Sequence, residues 1–406
     1  MRALRRTLDR IAPLFEKGGR LEKYAALYEL PDTFLYTPGS VTRTSSHVRD
    51  AIDQKRFMGI VALALIPCVI LGVWNIGHQA QLAIAQGALP LDDWRTWVYA
   101  ELLGLSFDPG SVFGCAVQGL LYYLPVLLVT FLVGGNIEAV SAVVRGHEVN
   151  EGFVVTGMLF PLVLPPAIPL WMVAMGIAFG IIFGKEIFGG TGMNFLNPAL
   201  TARVFLFFAY PAQMSGEAPW IAADFAGVDS FSGATWLARA AVDPAALEGA
   251  SWTAAFLGTV PGSMGETSTL ACLLGMFVLL LTRVGSWRTM GGVTLGTLGM
   301  SLLLNAAGSQ TNPMFGVPFH WHVVLGGWAF GMVFMATDPV SSAFTDKGKW
   351  IYGAAIGVLC VLIRVVNPAY PEGMMLSILF MNMFAPVIDY YIVRANIRRR
   401  LDRSAA

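Results

Sequence analysis

An all-helical, multi-pass membrane protein is the fold class this sequence predicts, and three observations predict it. Hydrophobic residues make up 55% of the chain and charged residues 13%, about half the charged share of an average soluble domain. The apolar residues gather into runs approaching the roughly 20 that a helix needs to cross a bilayer. Nearly all Lys and Arg residues lie between those runs, and nearly all on one side of them.

In chain order, residues 1–56 are polar and of mixed charge, without the apolar centre of a cleavable signal peptide, and form an N-terminal arm. About ten helical spans follow, at 57–76, 113–134, 153–167, 168–184, 197–210, 268–282, 289–306, 321–337, 350–366 and 374–392. The third and fourth are parted only by the Pro-rich turn 164–169, and the fifth is short and carries Arg203. The longest loop, 211–267, divides the spans into halves at 57–210 and 268–392, and a basic tail occupies 393–406.

Asn-Pro-Ala recurs at 197–199 and 367–369, and five spans per half give two inverted five-helix repeats, as in many transporters. A second recurrence, Gly-x-Ala-Phe-Gly-x-x-Phe at 176–183 and 327–334, falls on spans four and eight, which that symmetry does not equate.

Orientation follows from positive charge. The arm holds eleven Lys or Arg and the tail five, and Arg145, Lys185, Arg283, Arg288, Lys347 and Lys349 join them on the same side. The opposite loops hold only Arg95 and Arg239. The expected arrangement has both termini in the cytoplasm and 211–267 outside, in the periplasm.

Several functions are excluded. A net charge of zero leaves no surface for nucleic acid. The cysteines Cys68, Cys115, Cys272 and Cys360 lie one per apolar run, without the spacing of a zinc or iron–sulfur site, so no metal is expected. No Gly-x-Gly-x-x-Gly unit is present, which places NADH oxidation on another chain. His320 and His322 flank Trp321 at a span edge, an aromatic-belt position as much as a metal pair, and His78 reads as a solvated loop residue.

The loop carries Asp229-Ser-Phe-Ser-Gly-Ala-Thr235. Asp, Ser and Gly are turn formers, so a plain turn is one reading. A hydroxyl beside small neighbours is also open to an attaching enzyme, whereas a lone Thr with no base in register is a poor nucleophile. The bend 189–194 running into Asn197-Pro198 reads as a helix connection or as a polar pocket in which Asn194 and Asn197 meet a ring edge. Gly134-Gly135 reads as a helix end or a packing device. Arg203, Arg364 and Asp389 fall inside spans, where a charge is costly enough to be a functional candidate by default. Asp389 is expected to pair with an Arg or to bind a cation, with Asp338 and Glu138 as further acids near the cytoplasmic mouth.

Asp229, Ser232, Gly233, Ala234 and Thr235 together resemble the target of the transferase that links FMN through its phosphate to a Thr hydroxyl. With Arg-Gly-His-Glu-Val-Asn-Glu-Gly (145–152), Lys-Glu-Ile-Phe-Gly-Gly-Thr-Gly-Met-Asn-Phe-Leu-Asn-Pro-Ala-Leu (185–200), Phe-Met-Ala-Thr-Asp-Pro-Val-Ser (334–341) and Arg-Val-Val-Asn-Pro-Ala-Tyr-Pro-Glu-Gly-Met-Met (364–375), nearly the whole chain resembles the NqrB/RnfD family. The arm with Tyr-Glu-Leu-Pro-Asp-Thr-Phe-Leu-Tyr-Thr-Pro (28–38) favours its NqrB branch over RnfD-type subunits of ferredoxin:NAD+ oxidoreductases. The resemblance implies a bacterial inner-membrane subunit of a six-subunit, Na+-exporting NADH:ubiquinone oxidoreductase. It implies partners that include an NADH-oxidising flavin/iron–sulfur subunit and a periplasmic FMN subunit. It further implies covalent FMN on Thr235, riboflavin near Asn194 and Asn197, ubiquinone near Gly134, Gly135 and Phe153, and Na+ passing Asp389, Asp338 and Glu138. The competing class is a stand-alone solute channel or carrier, which the five-plus-five plan suits equally.

Overall fold

The computed structural model describes residues 2–15, 18–22, 25, 28, 54–145, 152–225, 233–367 and 372–405. Asp229, Ser232, the 145–152 motif beyond Arg145 and Gly152, and most of the N-terminal arm lie outside the described residues. The helices are α1 Arg2–Phe15, α2 Gln54–Ala85, α3 Val112–Arg145, α4 Gly152–Leu162, α5 Leu170–Gly184, α6 Pro198–Ala209, α7 Trp236–Val242, α8 Thr269–Leu281, α9 Trp287–Ala307, α10 Phe319–Val324, α11 Trp328–Phe330, α12 Asp346–Val366 and α13 Met374–Ala405. No strand forms among the described residues, only an isolated bridge between Leu89 and Asp224.

Among the described residues, six helices are long and apolar enough to cross a membrane: α2, α3, α5 extended to Phe188, α9, α12 and α13. α2 and α13 have 32 residues and α3 has 34, about 48–51 Å at 1.5 Å per residue, well beyond a ~30 Å hydrocarbon core. Their ends therefore stand outside the lipid. α4, α6 and α8 are apolar but shorter, at 11, 12 and 13 residues, about 17–20 Å. The predicted third span stops as a helix at Leu162, because Pro165 and Pro166 cannot continue it. The predicted eighth span is broken between α10 and α11, where Gly326 turns with φ +64°, and it resumes as a π-turn at Gly331–Met335. Gly134-Gly135 is not a helix end, since α3 continues to Arg145.

Side-chain capping starts the shorter pieces. Asn197 accepts from the N–H groups of Ala199 and Leu200 with Pro198 in the first turn, Ser268 accepts from Ala271, and Thr345 accepts from Gly348.

Close backbone approach holds the bundle. α9 and α12 run parallel with their backbones touching: a Cβ on Gly296 would stand 2.1 Å from the Ala354 carbonyl, and one on Gly357 would stand 2.2 Å from that of Val293. Gly292-x-x-x-Gly296 and Gly353-x-x-x-Gly357 face each other, the small-residue pattern that helices use where no hydrophobic force drives them together. α2 and α3 cross antiparallel in the same way at Gly77 and Gly119. Leu120, Leu124, Leu128 and Leu132 of α3 are all exposed, an apolar stripe that a water-facing helix would not carry.

The breaks meet inside the bundle. Gly265 N–H donates to the Leu162 carbonyl at 2.8 Å and Met264 N–H to that of Leu164 at 3.0 Å, so the loop before α8 closes the end of α4. Arg203 donates through Nε to the Val163 carbonyl at 3.0 Å. Arg364, with no exposed surface, donates to the carbonyls of His322 (2.7 Å), Leu325 (2.8 Å) and Glu372 (3.0 Å). Both arginines thus satisfy carbonyls that broken helices expose, which non-aqueous surroundings require. Neither snorkels.

Candidate functional site

Two polar pockets sit at opposite ends of the bundle. Thr235 borders the first, with Leu237, Ser263, Glu266, Gly326 and Glu372 around it. Thr235 is the N-cap of α7: its Oγ accepts from the Ala238 N–H at 3.3 Å, and the residue is half-buried. Capping uses a lone pair and leaves the O–H bond free for substitution. Gly233 is held tightly, since a Cβ there would stand 2.3 Å from the Glu217 carbonyl, and Ala234 is buried with its carbonyl accepting from Arg239 Nε at 3.1 Å. The small residues of the motif are therefore required by local space, and the turn and attachment readings coincide.

Below Thr235 lies a charged cluster that sequence reasoning missed. Arg203 pairs closely with Glu372 and at 3.9 Å with Glu266. Glu266 is 4% exposed, and its Oε1 has no hydrogen-bond partner. The signal was present: an acid between Gly262-Ser-Met-Gly and Thr-Ser-Thr269, directly before an apolar run. His322 is buried against Arg364 Nη1 at 3.4 Å while His320 is exposed, so the two do not form a metal pair. His78 is likewise no solvated loop residue, for it stacks on Trp74 within α2.

At the other end, one pocket is lined by Phe57, Thr156, Lys185, Thr191, Asn194, Asn197, Phe334 and Asp338, among others. Asn197 is largely engaged: its Oδ1 caps α6 and its Nδ2 donates to Asp338 Oδ2 at 3.2 Å. Asp338 also accepts from Ser341 Oγ at 2.7 Å and Val340 N–H at 3.1 Å. Asn194 folds on its own bend, donating to the Leu196 carbonyl at 2.9 Å. Thr191 Oγ is buried and without a partner, a free polar atom suited to a ring edge, so the residues present fit a flavin.

Lys185 bonds Glu138 in a buried pair. The residues expected to serve riboflavin and those expected to serve the ion therefore share one neighbourhood. Gly134, Gly135 and Phe153 do meet: a Cβ on Gly134 would stand 2.6 Å from the Phe153 ring and one on Gly135 3.4 Å from it. Asp389 borders an adjacent pocket with Asn194 and Ser341. Its expected Arg partner is replaced by backbone: the carboxylate accepts from the N–H groups of Phe344 (2.6 Å) and Thr345 (3.0 Å) and from Thr345 Oγ (2.5 Å). It caps the turn into α12.

Comparison with known proteins places this geometry in a lineage. The family model described as "NQR2, RnfD, RnfE family" matches residues 41–398. A protein of Pseudomonas paraeruginosa, named as the NqrB-type subunit of Na(+)-translocating NADH-quinone reductase, is 59% identical, covering 99% of both chains. Proteins of the same name from Ectopseudomonas mendocina and Chromohalobacter salexigens are 58% and 57% identical, each aligned over 99% of this chain and over 99% and 97% of their own lengths.

Proposed function

Because this chain belongs to the NQR2, RnfD, RnfE family, we propose that it is the NqrB subunit of a Na+-translocating NADH-quinone reductase, a multi-pass membrane component of a translocase. The end-to-end likeness to the relatives of that name carries this reading. The RnfD-type alternative and the solute carrier have no comparable support.

In finer detail, the reading places the chain in the bacterial inner membrane with both termini cytoplasmic and Thr235 on the periplasmic face. The charge asymmetry supports it. The reading also has ten spans in two inverted halves, 57–210 and 268–392, flanked by the arm, the 211–267 loop and the tail. Matched packing supports that division: α2 lies against α8 and α6 against α13, each pair joining corresponding helices of the two halves.

Thr235 holds FMN by a phosphoester. The substituted Oγ keeps its lone pair for the Ala238 N–H, so the cap survives attachment. Thr191, Asn194 and Asn197 hold riboflavin in the second pocket, and Gly134, Gly135 and Phe153 border the ubiquinone site. The two flavins supply the one-electron chemistry that links NADH oxidation on a partner subunit to quinone. Glu138, Asp338 and Asp389 surround the cytoplasmic mouth, where hard carboxylate oxygens suit Na+. The remaining subunits of a six-subunit complex, including the NADH-oxidising and periplasmic FMN subunits, are its partners.

The test is the mass of the intact chain purified from its native complex. It should exceed the sequence mass by one FMN less one water, and the excess should vanish in Thr235→Ala together with ultraviolet fluorescence of the denatured band. A wild-type chain at its bare sequence mass overturns the flavin assignment.

A further inference from the structure

The pocket under Thr235 contains two polar atoms that the fold leaves without a partner. Ser263 and Glu266 are 3% and 4% exposed and both line the pocket. Ser263 lies beside the Glu266 carboxylate without reaching hydrogen-bond geometry, so its Oγ and Glu266 Oε1 both stay unsatisfied. Buried polar groups are nearly always paired, and leaving a donor and an acceptor side by side is costly unless a ligand takes both.

The glycines opposite keep this edge open. A Cβ on Gly327 would stand 2.8 Å from Glu266 Oε1 and cover it, and one on Gly326 would collide with Leu237 at 2.7 Å. The opening is framed by α7, which begins at Thr235, and by the loop between α10 and α11.

Charge decides what the opening takes. Glu266 and Glu372 are balanced by Arg203, which pairs with both, and by Arg364, which bonds the Glu372 carbonyl and acts electrostatically on Glu266. A cation would leave this buried set net positive, and an anion would leave it net negative; both are penalised away from water. A neutral group with alternating N–H and C=O fits without adding charge. The pyrimidine edge of a flavin ring is such a group, and a carboxylate oxygen beside a hydroxyl supplies the acceptor and donor it needs.

We infer that Ser263 and Glu266 recognise the pyrimidine edge of the flavin ring carried on Thr235, Glu266 Oε1 accepting from its N–H and Ser263 Oγ donating to a neighbouring carbonyl. The inference rests on the attachment proposed above and adds the residues that seat the ring and tune it. A carboxylate against that edge disfavours the electron-rich reduced ring, and a hydroxyl donor favours it. The two residues therefore act in opposite directions.

The experiment is a redox titration of the Thr235-linked flavin in the whole complex, taken as the difference from a Thr235→Ala complex. Chain mass is recorded alongside. With attachment intact, Glu266→Gln should raise the midpoint potential and Ser263→Ala should lower it. Unchanged potentials in both variants, or shifts of one sign, overturn the inference while the attachment reading stands. Absence of flavin mass from the wild-type chain removes both. Should Glu266→Gln fail to assemble, Ser263→Ala decides, because Ser263 makes no bond within the fold whose loss would unfold it. A wild-type potential that moves with Na+, lost in Glu266→Gln, identifies a cation as the occupant and overturns the assignment.

Discussion

Replacing Arg364 tests the claim that buried arginines hold the broken helices. Its guanidinium donates to three carbonyls, those of His322, Leu325 and Glu372, at 2.7–3.0 Å, and no part of the side chain is exposed. Hydrogen bonds between helices in membranes contribute roughly 0.6–2 kcal/mol each. Loss of all three in Arg364→Met is therefore expected to destabilise the protein by about 2–6 kcal/mol. Arg364→Lys keeps the charge but offers one point of donation in place of a planar fork, so it should lose about two-thirds of that stability. Unfolding in mixed micelles against a denaturing detergent, followed by tryptophan fluorescence, measures both, with Arg398→Met on the exposed end of α13 as the control. An Arg364→Met protein within about 0.5 kcal/mol of wild type, the usual range for exposed surface changes, would refute the reasoning.

Three further outcomes follow from the same structure. Gly357→Leu should separate α9 from α12, since even a Cβ there meets the Val293 carbonyl at 2.2 Å; the yield of folded protein by size-exclusion chromatography should collapse, whereas Gly299→Leu, where a Cβ meets nothing within 4 Å, should leave it unchanged. Asp389→Asn keeps one acceptor for the 344–345 turn, so assembly and flavin content should persist while the Na+ dependence of quinone reduction shifts; unaltered Na+ dependence leaves Asp389 a structural cap alone. Gly135→Leu would press on the Phe153 ring from 3.4 Å and should change apparent quinone affinity or inhibitor sensitivity several-fold with both flavins retained; unchanged quinone kinetics would remove these residues from the quinone site.

Legibility differed from residue to residue for physical reasons. The long spans were readable because an apolar run of sufficient length has only one use in a bilayer. The motif ending at Thr235 was readable because its residues are contiguous and each has a local job, down to the cap on α7. Glu266 and Ser263 were not, because their meaning depends on Thr235, Gly327 and Arg203, which come from different segments. The lengths of α4, α6 and α8 also escaped: a hydropathy run counts apolar residues whether they are helical or not, and Pro165, Pro166 and Gly326 cut the helix while the run continues.

What the sequence determined by itself was the solvent of this protein, the sides to which its charges belong, and the family to which its motifs point. These are properties of composition and order that any fold of the chain must respect. Only the tertiary structure decided the work of the charges inside the spans. Arg203 and Arg364 were open to an ion, a flavin or a structural role until the carbonyls of Val163, His322 and Leu325 were found beside them. Asp389 awaited an arginine and met the backbone of Phe344 and Thr345. A buried charge takes its role from the partner that offsets its lost hydration, and that partner is chosen by packing between distant segments.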